Sequence, residues 1–129
     1  MLARSLTTAT MALVLGAGAS FAQAPGSATL ARIKERGHIM CGASQGVPGF
    51  SQPDNAGVWR GFDTDMCRAL AAAIFDDPDK ARYLPLASKD RLIALQGGNI
   101  DVLSRTTTWS IGRELGQGLA FTAINYYDG

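Results

Sequence analysis

Residues 104–113 concentrate polar chemistry: Ser104, Thr106, Thr107 and Thr108 bring hydroxyls, while Arg105 and Arg113 bring guanidiniums, with Trp109 between them. Every one of these groups donates hydrogen bonds, and two carry fixed positive charge. No Cys, Lys or His stands among them to serve as nucleophile or base. Such a set suits holding a carboxylate or a small zwitterion better than transforming it. It follows the apolar run Ile100-Asp101-Val102-Leu103, which reads as a strand. In open α/β sheets, ligands bind just beyond the carboxyl ends of strands.

The rest of the chain supplies the elements that must position this stretch. Ser27 or Thr29 can cap a short helix through Leu30, Ile33 and Arg36, which Gly37 is placed to end. Residues 38–43 read as a first strand, and 44–60 as loop and turn broken by Pro48-Gly49 and Pro53-Asp54-Asn55-Ala56-Gly57. Asp63 suits the N-cap of a helix over 64–75. Its apolar positions Met66, Ala69, Leu70, Ala73 and Ile74 repeat at helical spacing, with Cys67 at their border. A second strand over 81–86, a Ser88-capped helix over 89–96, a third strand over 100–104, a Ser110-capped turn holding Arg113 and an extended segment over 119–127 complete the order. This is an open three-layer α/β domain.

Ahead of it, Arg4, the apolar run from Met11 to Ala17 and Ser20-Phe21-Ala22 make a signal peptide over residues 1–22, cleaved before Gln23, rather than a permanent anchor. The whole chain has a net charge of +1. Removing the leader takes Arg4 with it and leaves residues 23–129 electrically balanced. That balance gives no footprint for nucleic acid or anionic membranes. In an exported protein, Cys41 and Cys67 are expected to form a disulfide rather than stay as two buried thiols. One histidine, His38, is too few for a zinc site and reads as a strand-edge residue. Neither a metal nor a cofactor is expected.

Several segments together resemble the N-terminal lobe of a periplasmic solute-binding protein (family 3) of a polar amino-acid ABC importer. They are Ile33-Lys34-Glu35-Arg36-Gly37, Gly61-Phe62-Asp63-Thr64-Asp65, the run from Arg91 through Gly97-Gly98-Asn99-Ile100-Asp101-Val102, and the Thr/Trp stretch to Arg113. Cys41-Gly42, Phe50-Ser51, Met66-Cys67-Arg68 and Tyr126-Tyr127-Asp128-Gly129 are most similar to the general L-amino-acid-binding branch. The resemblance implies an α/β, periplasmic-binding-protein-like lobe over residues 23–129, incomplete, with the second lobe absent. It implies a small-molecule L-amino acid as ligand, a membrane permease as partner, a periplasmic location and a monomer. Carried over position by position, Arg113 is the α-carboxylate clamp. Thr106 and Thr108 are its hydroxyl and backbone neighbours, Ser44 is a polar contact after the first strand, and Phe50 is part of the pocket wall.

Alternation along an extended segment would turn Thr106 and Thr108 to one side and Thr107 to the other. Arg105 stays open between lining the pocket and pairing with Asp101 or Asp65, and Trp109 reads as a packing residue. Two rival functions share the fold: a cyclohexadienyl-dehydratase-like periplasmic enzyme, and a ligand-sensing domain. The enzyme would need a general base aimed at the cleft, which these loops do not offer. No catalytic residue is assigned. With one wall of the cleft missing, the chain alone is expected to bind weakly or not at all.

Overall fold

The computed structural model describes residues 27–127, so the leader over 1–22 and the terminal Asp128-Gly129 lie outside the described residues. The central strand is β1 (Ile39–Ala43). An antiparallel hairpin follows, formed by β2 (Gln52–Pro53) and β3 (Trp59–Arg60). Strand β4 (Ala81–Pro85) flanks β1 on one side and β5 (Val102–Leu103) on the other, and all three are parallel. Their carboxyl ends therefore open on one edge of the sheet, where the loops carrying residues 44, 86 and 104 emerge together.

Alternation along β1 separates the two faces. Ile39 and Cys41 join Ile33 of α1 (Ala28–Arg36), Cys67 and Ala71 of α2 (Phe62–Phe75), and Ala81 in one buried cluster. Gly42 points the other way, where a Cβ would lie 2.6 Å from Ile100 Cδ1 and 2.9 Å from Leu103 Cδ1. The helix α3 (Arg91–Gln96) packs on β1 and β5. Helices thus cover both faces, the three-layer α/β arrangement expected from the element order. Burying Ile39 and Ile100, each 1 % exposed, contributes roughly 2 kcal/mol apiece.

Cys41 and Cys67 are bonded to each other, both 1 % exposed, and tie β1 to α2. This bond sits at the centre of the helix face rather than at its border. The buried residues of α2 are Asp63, Thr64, Cys67 and Ala71, with Leu70 and Ile74 half-buried against the cluster, whereas Ala69 and Ala73 are exposed. The apolar spacing found Leu70 and Ile74, which pack against the core cluster, but included the exposed Ala69 and Ala73 and left the cysteine and threonine out of the apolar set.

Asp63 is not the N-cap of α2. Gly61 holds that place at φ 120°, and a Cβ there would lie 2.4 Å from the Phe50 carbonyl oxygen. The close approach lets the loop do the capping: the Phe62 and Asp63 amides donate to the carbonyls of Gly49 and Phe50 at 2.9 and 3.0 Å. At the other end of the chain order, Ser110 does cap α4 (Ile111–Gly116), its Oγ accepting from the Arg113 amide at 3.4 Å.

Other expectations shift in detail. Residues 44–60 contain the hairpin, whose turn Asp54 organises by accepting from the amides of Ala56 and Val58 at 2.9 Å each. Asp90, not Ser88, precedes α3. Residues 119–127 form no strand. A cavity of about 340 Å³ is lined by Leu92, Leu95, Val102, Leu103, Leu119 and Phe121 among others. Strand β5 itself is bounded by Asp101 N–H donating to Met40 O (2.8 Å) and Ser104 N–H donating to Gly42 O (3.2 Å).

Candidate functional site

The loop after β5 sits at the open edge of the sheet beside the loops that follow β1 and β4. Ser104 anchors its start: its Oγ donates to the Asp63 carbonyl at 2.8 Å, and its side chain is buried. Thr106 and Thr108 are exposed and Thr107 is half-buried, its Oγ1 inside and without a partner among the described residues.

Three guanidiniums gather around this loop. Arg113 Nη1 donates to the Thr108 carbonyl, which folds the α4 arginine back over the threonines. Arg91 Nη1 donates to the Thr106 carbonyl at 3.1 Å. Arg105 reaches toward the loop after β4, its Nη1 donating to the Leu86 carbonyl at 2.6 Å and its Nη2 to Ser88 Oγ at 3.4 Å. Arg105 therefore pairs with neither Asp101 nor Asp65. Burial, and then the neighbouring charges of Arg105 and Arg113, push the Arg91 guanidinium below its ordinary value. Like charges collected at one place create a field that favours an anion.

Arg91 is absent from the residues expected by sequence. One signal was available: a cation in the first turn of a helix opposes the helix dipole, so it needs an acceptor elsewhere. Ser44 stands in the loop after β1, as expected. It is 1 % exposed, its amide donates to Ser51 Oγ (3.0 Å), and its hydroxyl lies 2.5 Å from Ser51 Oγ. Its polar groups fasten the loop after β1 instead of facing the open edge. Phe50 is half-buried and meets Tyr126 edge to face at 5.1 Å, with Phe62 also edge-on to Tyr126 at 6.2 Å. Trp109 stacks on Phe121 at 5.5 Å and donates to Glu114 Oε2 at 2.7 Å.

Behind the loop lies a buried carboxyl. Asp63 is 2 % exposed and its Oδ2 has no partner among the described residues. Burial pushes its pKa up, opposed by a hydrogen bond from Asn125 and by the charge of Arg105. An acid whose folded pKa lies above its unfolded value weighs against folding when ionised, and that penalty disappears as pH falls through the folded pKa. Relative to the wild type, Asp63→Asn should therefore gain most at neutral pH, the difference shrinking toward about pH 4. Urea midpoints of both proteins across that range check this, and a difference independent of pH would contradict it.

Parallel strands, helices on both faces and a cationic loop at the carboxyl edge make one open α/β lobe whose strand ends are placed to hold a ligand. No protein-family model matches the chain. The general L-amino acid-binding periplasmic protein AapJ of Rhizobium johnstonii is 48% identical over 124 residues, 96% of this chain and 36% of that protein. An ABC-transporter periplasmic binding protein from Brucella ovis, solved with glutathione bound, is 51% identical with a TM-score of 0.77 over 78% of this chain and 32% of its own. The arginine-bound domain 1 from TmArgBP is 25% identical with a TM-score of 0.57, over 65% of this chain and 64% of that one. Over the stretch it shares, the chain is similar to the periplasmic amino-acid-binding proteins of ABC transporters, consistent with an N-terminal lobe. It spans about a third of the length of the curated relatives it matches.

Proposed function

We propose that the chain forms the amino-acid-reading wall of the substrate-binding component of an amino-acid ABC importer. Arg113 is the carboxylate clamp, Thr106 and Thr108 supply neighbouring polar contacts, and Phe50 forms part of the apolar wall. The observation that carries this reading is the convergence of Arg91 and Arg113 on the carbonyls of one exposed pair of threonines, Thr106 and Thr108. Arg113 commits one donor to Thr108 and keeps the others for a ligand, and a planar guanidinium can engage both oxygens of a carboxylate. The ligands named for the relatives — L-amino acids, glutathione and arginine — share a free α-amino-acid head, which glutathione carries at its γ-glutamyl end. The clamp reads that head, with Ser44 stabilising the loop beside it.

The role is binding, not catalysis. The wall presents hydroxyls, amides and guanidiniums; of the carboxyls close by, Asp63 is sealed behind Ser104 and Glu114 is engaged by the Trp109 indole. The leader would place the protein in the periplasm, where a membrane permease receives the ligand. A single lobe contributes only the carboxylate side. Two or three charged hydrogen bonds, together roughly 4 kcal/mol, correspond to binding at about millimolar strength. The arginine-bound domain 1 relative supports binding by a lone lobe.

The test is an NMR titration of this chain, without its leader, against L-glutamate, L-arginine and glutathione at millimolar concentration. Saturable shifts at Thr106, Thr108 and Arg113 are expected. Arg113→Ala should abolish them, and Arg113→Lys should fail to restore them because an ammonium cannot grip both oxygens. Unchanged titrations in Arg113→Ala would refute the clamp, and turnover of a prephenate-like substrate would refute the binding-only role.

A further inference from the structure

The loops after β4 and β5 do not adjoin, because β1 lies between their strands. Strand spacing alone puts them roughly 10 Å apart. Their last ladder bonds to β1 are Leu86 N–H to Ala43 O (3.0 Å) and Ser104 N–H to Gly42 O (3.2 Å). Beyond Ser104, the hydrogen bonds reaching residues 106–108 among the described residues come from arginine side chains.

We propose that Arg91 and Arg105 act as a reciprocal strap that positions the threonine wall, an inference that rests on the binding role assigned above. Arg105, from the loop after β5, reaches back to Leu86 O and Ser88 Oγ in the loop after β4. Arg91, at the start of the helix that follows that same loop, reaches forward to Thr106 O. The two side chains cross the end of β1 in opposite directions and close a ring through Leu86, Arg91, Thr106 and Arg105. Neither has a carboxylate within ion-pair distance among the described residues.

Burying two cations near each other is unfavourable unless acceptors compensate; here three protein oxygens accept from their Nη atoms, while the Nε of each is buried without a partner among the described residues. What the ring supplies is preorganisation. Residues 106–108 are held before a ligand arrives, so binding need not also order them. Arg113 holds the Thr108 carbonyl through Nη1 and keeps its other donors for the carboxylate. Arg91 uses a single donor on a single carbonyl, whereas Arg105 divides two donors between two acceptors. A lysine can therefore replace Arg91 but not Arg105.

The experiment combines backbone ¹⁵N relaxation with titration by L-glutamate and L-arginine, on the leaderless chain and its Arg91→Met, Arg91→Lys and Arg105→Met variants. Arg91→Met and Arg105→Met should each lower the heteronuclear NOE at residues 86–88 and 106–108 while leaving β1 unchanged, and weaken binding about fivefold or more. Arg91→Lys should restore both, and the Arg91→Met/Arg105→Met double variant should be little worse than either single one, since one break opens the ring. Unchanged NOEs in both loops, or loosening spread through β1 and α2, would overturn the strap, as would loosened loops with unaltered affinity. If the wild type binds none of the ligands, the binding role fails and positioning fails with it. The relaxation data then show separately whether the two arginines fasten the loops.

Discussion

Replacing Cys41 and Cys67 together by alanine should lower the unfolding free energy by roughly 3–4 kcal/mol, the chain-entropy value for a closed loop of this length. The bond joins positions 26 residues apart and lies at the middle of the apolar cluster, with both cysteines 1 % exposed. It fixes α2 on β1 and so fixes the amino end of α2, where the loop carrying Phe50 is attached through Gly49 and Phe50. A marginal domain of this size should melt roughly 20 °C lower without it. Thermal unfolding of the double variant checks this. A fall of only a few degrees would mean that packing around Ile33, Ile39 and Ala71 carries the contact without the bond. A similar loss is expected for the wild type unfolded under strong reductant.

Asp101→Ala should cost about 3 kcal/mol, the order found when one partner of a buried, hydrogen-bonded charge is removed. The Asp101 side chain has no exposure, and its Oδ2 accepts from the Met40 amide at 2.8 Å and from Arg36, with Arg32 3.8 Å from Oδ1. These contacts sew the start of β5 to β1 and to the last turns of α1. Truncation leaves the Met40 amide without its acceptor, whereas Asp101→Asn keeps an oxygen there and should lose roughly half as much. Denaturant midpoints of the two variants read the difference. Equal losses would show that charge, not the acceptor oxygen, stabilises this junction. Because β5 positions Ser104 and the threonines beyond it, the alanine variant should also broaden the NMR signals of residues 104–108.

Much of this was legible along the chain because its causes are local. Helix α1 and its Gly37 stop, the β1 run, α3 with its glycine end and the Ser110 cap are set by residues within a turn of one another. So was the class of chemistry, since clustered hydroxyls and guanidiniums without a base can be read from residue types alone. The misplacements share a different cause. Asp63 looks like a cap until Gly61 brings the Phe50 carbonyl within reach, a contact made across the loop and not along the helix. Ser44 looks free until Ser51, seven residues on, consumes its hydroxyl.

The division between sequence and tertiary structure falls at the same place in the candidate site. The sequence by itself determined which groups are present near residues 104–113 and that two cysteines could join strand to helix. Only the tertiary structure decided what each arginine does. Three guanidiniums of equal charge differ in role because of which carbonyl each meets: Thr108 for Arg113, Thr106 for Arg91, Leu86 for Arg105. Those acceptors come from loops brought together by the strand order β4–β1–β5. Such pairings depend on sheet register, a long-range property that residue spacing does not encode.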